Sequence, residues 1–290
     1  MKSSSTVIEA SGRDRLGIGA WLVMFRELYE CRELISRLIR RNIAGQFRQS
    51  FMGYVWIVLP PIALTLVFSL LRAANIVLVP DREGGMPYGL YVLIGSTVWG
   101  AFTQATITAT TSIANAGNLV SKIYFPREAL VVSSVGASAV NVLVQVGVIA
   151  LAFLLFGFMP HIAAMAAIIL FVPVYLFGIG LGFFLAPINT MMNDTARILQ
   201  FLFQFGMFLA PTVYPTPLLA HVESNWQMML YLLHHLNPIS YFIYAFHGLV
   251  ESGTLAFPLG LAIASGISVF TLLVGWRFFH ICEPFLAERL

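Results

Sequence analysis

The sequence predicts an all-α membrane protein. It has six transmembrane helices, an amphipathic helix ahead of the first, short re-entrant outer helices between the fifth and sixth, and both termini in the cytoplasm. Three observations carry that prediction. Hydrophobic residues make up 59% of the 290 residues and charged residues only 10%, against about 25% charged in a soluble domain. The apolar residues come in blocks as long as the ~20 residues a helix needs to cross the hydrocarbon core. Lys and Arg are one-sided: all but Arg72 and Arg82 of the 16 fall on the side this topology makes cytoplasmic, as the positive-inside rule requires.

Residues 1–23 read as a polar cytoplasmic tail without the apolar core of a signal peptide. Residues 24–50 form the amphipathic stretch, with its helix over 24–44. Leu28, Cys31, Ile35, Leu38 and Ile39 share a face. Arg26–Glu30 and Glu33–Arg37 are opposite charges at i,i+4. Such a helix suits the headgroup plane, with arginines at anionic lipid. The six-span body is 51–290.

The first span is expected over Phe51–Leu71, with Tyr54 and Trp56 at its entrance and Pro60-Pro61 loosening it. A hydrophilic outer loop follows. The second span, Tyr88–Ala114, is rich in Thr, whose hydroxyls can return to the helix backbone. A short loop with Lys122 and Arg127 belongs inside. The 65 residues from Ala129 to Asn193 carry no charge and divide at Gly157–His161 into a third and a fourth span, Ala129–Phe156 and Ile162–Ile188. Gly178, Gly180 and Gly182 suit close packing in the fourth. The fifth span is expected over Ala196–Tyr214, with Gln200 and Gln204 on one face and Phe201, Phe205 and Phe208 on another. Pro215–Gly253 has runs too short to cross and reads as an outer loop with one or two short helices dipping into the membrane edge. The sixth span is Leu255–Phe279.

Several functions are excluded or disfavoured. The sequence has no P-loop and no catalytic constellation, metal set or cofactor motif. No ionisable residue stands at a span's midplane, which counts against proton coupling. The net charge of +3 reflects topology rather than nucleic-acid binding. Cys31 and Cys282 fall near cytoplasmic ends, so no disulfide is expected. The adjacent His234 and His235 cannot face each other on a helix and read as polar rim residues. A Phe stripe is more often packing than a substrate path, but the Gln pair beside it favours a path, because an amide in lipid is costly.

Arg48-Gln49-Ser50, then Gly53-Tyr54-Val55-Trp56 and Pro60-Pro61, resembles the permease subunit of ABC-2 type polysaccharide exporters. The run from Asn118 to Glu128 (Asn-Leu-Val-Ser-Lys-Ile-Tyr-Phe-Pro-Arg-Glu) is similar to that family's segment between its second and third spans, and Asn237-Pro238 also fits. The resemblance runs from Glu27 onward.

The resemblance implies a homodimer around a channel, with two separate ATP-hydrolysing subunits beneath it that bind ATP and Mg. The protein would lie in a bacterial inner membrane. The amphipathic stretch would be an interface helix carrying Arg37, Arg40, Arg41 and Arg48. Asn118, Leu119, Lys122, Ile123, Tyr124 and Arg127 would form or flank a coupling helix on the ATPase. Tyr54, Phe68, Gln200, Phe201, Gln204, Phe205 and Tyr214 are the channel-lining candidates, chosen by position in the first and fifth spans. The outer helices would gate the exit. The cargo would be a lipid-linked polysaccharide of O-antigen type. Capsule, teichoic acid, galactan or a smaller lipid or drug remain alternatives, as does a membrane-embedded glycan-modifying enzyme using His234, His235 or Glu223.

Overall fold

The computed structural model describes residues 19–46, 48, 50–77, 85–116, 125–192, 194–215 and 224–287. Among the described residues every regular element is helical. Helices α1 (Gly19–Glu30) and α2 (Arg32–Gln46) replace the single amphipathic helix expected over 24–44. Helical hydrogen bonds still run through the joint, from Cys31 N to Glu27 O at 3.0 Å and from Ile35 N to Cys31 O at 2.9 Å. Part of the apolar surface of each helix turns to protein. Met24 is buried among Ala105, Ala109, Val135, Phe183, Trp276 and Phe279, and Phe25 meets Trp276 edge-on at 4.7 Å. Leu38 of α2 is buried, and Ile39 lies so close to Gly136 that a Cβ there would stand 2.9 Å from its Cδ1. The expected Arg26–Glu30 pair forms at 2.8 Å on the exposed side.

Among the described residues, five helices are long and apolar enough to cross a membrane. They are α3 (Val55–Ala73), α4 (Tyr88–Asn115), α5 (Glu128–Leu155), the run Ala164–Met191 and α11 (Pro258–Ala287). The run Ala164–Met191 comprises the short α6 (Ala164–Ala167), a 3-10 turn (Ile168–Leu170) and α7 (Phe171–Met191). α4 is the central post and packs against α3, α5 and α7. Glycines make the tightest contact. A Cβ on Gly178 would stand 2.8 Å from the Ala105 methyl, and one on Gly182 would overlap that of Ala109, so α7 and α4 meet through two small residues four apart on each. On the other side of α7, a Cβ on Gly180 would reach Leu272 N of α11 at 2.5 Å.

α3 runs through Pro60 and Pro61 without a break. Pro61 cannot donate to the Ile57 carbonyl. Gln145 of α5 does so instead, its Nε2 lying 3.3 Å from that oxygen. The loosening expected at this point is thus offset by a side chain from another helix.

The fifth expected span differs most. α8 covers only Asp194–Gly206, tightens into a 3-10 turn over Met207–Leu209, and becomes extended at Ala210. The physical cause is Pro211, which has no N–H for the Met207 carbonyl. Thr212 Oγ1 takes that carbonyl at 2.7 Å. Beyond it come α9 (Asn225–Leu236) and α10 (Pro238–Glu251). Ser224 and Gln227 form a capping box at the start of α9. Asn237 caps α10 through Ile239 N at 3.0 Å, with Pro238 in the first turn.

α10 corrects the picture of two rim helices. Ile239, Phe242, Ile243, Ala245, Phe246 and Leu249 are buried in the main core with α4 and Phe171. Only α9 is peripheral, with Trp226, Met229, Leu232 and Leu236 exposed.

Candidate functional site

The N-terminal half of α4 clasps the irregular segment that follows α8. Tyr88, Tyr91, Gly95 and Trp99 recur at helical spacing and line one face. Tyr88 Oη donates to Val213 O at 2.7 Å, and Tyr91 Oη donates to Pro211 O at 2.9 Å. Trp99 Nε1 donates to Phe203 O at 3.1 Å. At Gly95 the two backbones touch, since a Cβ there would stand 2.7 Å from Thr212 O. Tyr214 Oη donates to Phe208 O. Ala210, Pro211, Thr212 and Val213 are buried. Non-helical backbone at membrane depth is stable only when buried in protein or facing water, and here tyrosine hydroxyls satisfy the Pro211 and Val213 carbonyls. Sequence reasoning missed this clasp. Its signal was the aromatic stripe at i, i+3 and i+11 with a glycine at i+7.

The channel candidates separate into three groups. Gln200, Phe201, Gln204 and Phe205 are all exposed on α8, and the two phenyl rings lie 5.0 Å apart. Phe68 and Tyr214 do not join them. Both are half-buried beside Tyr88, Val92 and Val213, Phe68 lies 6.1 Å from Phe208, and Tyr214 stacks on His234 at 5.8 Å. Tyr54 lies at the joint of α2 and α3, lining a shallow cleft of about 390 Å³ with Arg40, Ile43, Ala44 and Arg48.

The arginines Arg37, Arg40, Arg41 and Arg48 are exposed. Of the coupling-helix candidates, Asn118, Leu119, Lys122, Ile123 and Tyr124 lie outside the described residues. Arg127 follows them and is tied to the end of α11. Its backbone N–H donates to Glu283 Oε1 at 3.2 Å and its Nη1 to Glu283 O at 3.0 Å. The next residue, Glu128, is buried, and its Oε1 lies 2.9 Å from His280 Nδ1. The sequence reading treated Glu128 only as part of a motif and His280 only as a span end; 152 residues separate them.

The histidines of α9 have structural surroundings. Burial, and then the neighbouring His235, push the His234 imidazole down to about 4. His235 packs among Tyr231, Tyr241, Tyr244 and Phe257, with Nδ1 2.9 Å from Tyr231 O. Glu223 lies outside the described residues.

Five apolar spans, a glycine-packed interior and irregular backbone buried at depth define a multi-pass helical membrane protein. The chain belongs to the ABC-2 type transporter family, which it matches over residues 33–250. Among curated proteins it is similar to an O-antigen export system permease protein of Myxococcus xanthus, at 26% identity over 72% of this chain and 78% of that one. An O-antigen export system permease protein of Klebsiella pneumoniae is 21% identical over 89% of this chain and 95% of its own length. A second such Klebsiella pneumoniae protein is 21% identical, covering 77% and 82%.

Proposed function

We propose that this chain is the transmembrane subunit of an ATP-driven exporter. Its cargo is a lipid-linked polysaccharide of O-antigen type, moved out across the bacterial inner membrane. Its similarity to O-antigen export system permease proteins supports the cargo class. One observation on the molecule carries the path: α8 presents paired amides and paired phenyl rings outward from a single copy. Amides exchange hydrogen bonds with sugar hydroxyls, and aromatic faces slide along sugar CH faces. A neutral or anionic glycan needs no buried counter-charge.

The fifth span is composite. Thirteen residues of α-helix and three of 3-10 turn reach about 26 Å, and the turns and bends of 210–214 carry the chain on towards the ~30 Å thickness of the hydrocarbon core. With the five apolar helices it makes six crossings and puts both termini inside. A second copy pairs through α3 and α8, closing the channel. Two ATPase subunits bind ATP and Mg below and dock on residues 118–124. Motion there reaches the body through Arg127 and its tie to α11. At the outer side, α9 is the gate, since α10 is locked in the core.

The test is purification of the tagged chain from native membranes under mild detergent, followed by ATPase assay with and without lipid-linked glycan. A stoichiometric P-loop subunit with glycan-sensitive turnover is expected. A chain that elutes alone, with no ATPase bound, overturns the reading. Within the complex, Phe201→Ala with Phe205→Ala is expected to cut surface polymer while assembly persists, and Lys122→Glu to weaken ATPase docking without affecting insertion.

A further inference from the structure

We propose that Glu128, His280 and Glu283 form a binding site for a divalent transition-metal ion of the Zn2+ type, joining the start of α5 to the end of α11 at the cytoplasmic face. One ligand atom from each of the three residues lies within 4.8 Å of the others. His280 Nδ1 stands 2.9 Å from Glu128 Oε1 and 3.9 Å from Glu283 Oε2. Zinc–nitrogen and zinc–oxygen bonds of about 2.0–2.2 Å in a tetrahedron put neighbouring ligand atoms roughly 3.3–3.6 Å apart. The observed spacings bracket that value, so small side-chain rotations close the site. His280 and Glu283 are three apart on one helix and share a face.

Burial and charge point the same way. The Glu128 side chain is 4% exposed, that of His280 13% and that of Glu283 26%. Glu128 Oε2 is buried and, among the described residues, has no hydrogen-bond partner. A carboxylate oxygen so placed is costly unless something positive meets it. The nearby cation, Arg127, directs its guanidinium to the Glu283 carbonyl instead, and its backbone N–H holds only Glu283 Oε1. A third carboxyl, Glu27 of α1, adjoins the cluster; burial, and then Glu128, raise its pKa.

An imidazole with two carboxylates suits zinc or its neighbours rather than magnesium or calcium, which take oxygen ligands. Three protein ligands leave a fourth position for water or Glu27. The proton between Nδ1 and Oε1 leaves or moves to Nε2 as the metal enters. Such an ion would clamp the helix that begins just after residues 117–124 to the last helix of the chain. The site stands whether or not the cargo is a glycan.

The test uses the full chain in detergent, carrying an affinity tag without histidine. Metal content after Zn2+ loading and desalting is measured, together with the visible absorption of a Co2+-loaded sample. About one equivalent per chain and a tetrahedral cobalt spectrum abolished by Zn2+ are expected. Glu128→Gln, His280→Gln and Glu283→Gln should each weaken zinc binding by more than the roughly 10–100-fold lost when an outer-shell partner is removed. His161→Gln, at a distant histidine, should bind as wild type. Glu283→Gln alters the most exposed ligand and serves if the buried variants misfold. Wild-type protein that takes up no zinc, or a folded Glu283→Gln that binds it unchanged, overturns the proposal.

Discussion

α3 and α4 are consecutive in the chain and pack against each other, yet they solve opposite problems. α3 is the more apolar, with mean hydropathy 2.0 in its best stretch against 1.2 for α4. It is also the less buried, at 6% of that stretch against 72%. In a water-soluble protein the order would be reversed. Here the outside solvent is lipid or a second copy, so α3 spends its apolar residues outward: Trp56, Leu59, Leu66, Val67 and Leu70 are all exposed. α4 carries the polar groups, because only the interior offers them partners.

Those partners are of two kinds. Thr97, Thr106 and Thr110 donate to the carbonyls four residues back at 2.8–2.9 Å and serve only their own helix. Tyr88, Tyr91 and Trp99 donate across to the segment after α8. α3 receives one such bond, from Gln145. The contrast implies that damage depends on which kind is removed.

The largest effect is expected at Gly95. Gly95→Val drives a side chain into the Thr212 backbone, which cannot yield as a side-chain tip can, and should cost about 3 kcal/mol or more. Gly100→Ala on the same helix, where a Cβ meets nothing within 4 Å, should leave the melting temperature in detergent unchanged or raised. Equal losses from both would break the distinction between the clasping face and the rest of α4.

Gln145→Leu comes next, at about 1–2 kcal/mol, by leaving the Ile57 carbonyl unsatisfied. The Pro61→Ala background restores the backbone N–H, so the same substitution there should cost close to nothing. A double-mutant cycle in thermal unfolding reads the coupling. Additive losses would show that Gln145 does not compensate the proline.

Outward residues should matter less to the single chain. Leu66→Ala with Val67→Ala is expected to shift stability by less than about 0.5 kcal/mol, while lowering the dimer fraction in cross-linking within native membranes. An unchanged dimer fraction would assign this face to lipid. The smallest change is expected from Thr106→Val, under about 0.5 kcal/mol in thermal unfolding, since its hydroxyl answers only its own backbone. A loss above 1 kcal/mol would make α4's interior polarity a tertiary feature after all.

Much of this architecture was legible in the sequence. The spans predicted over 88–114 and 129–156 match α4 and α5 to within a residue at each end, because their flanks are marked by polar loops and Pro126. Gly178, Gly180 and Gly182 packed as read, since a glycine amid apolar residues has few other uses. Gln200, Gln204, Phe201 and Phe205, read as two separate faces, are all exposed. Phe68 and Tyr214 were not separable from that group, because position in a span says nothing about which neighbour a ring meets. Likewise Cys31 gives no sequence signal for a helix joint, and the short apolar run that became α10 read as a helix at the membrane edge, because length alone does not tell a rim helix from a buried one.

The sequence by itself determined the class and most of the span positions, because hydropathy is a local sum matched against a slab of fixed thickness. Only the tertiary structure decided how prolines were tolerated and where charges met. Gln145 completing the gap at Pro61 and Trp99 holding Phe203 are bonds between residues about a hundred positions apart. The approach of Glu128 to His280 joins residues 152 positions apart. Such pairs depend on the angle and register at which helices pack, and no local pattern in the chain encodes those.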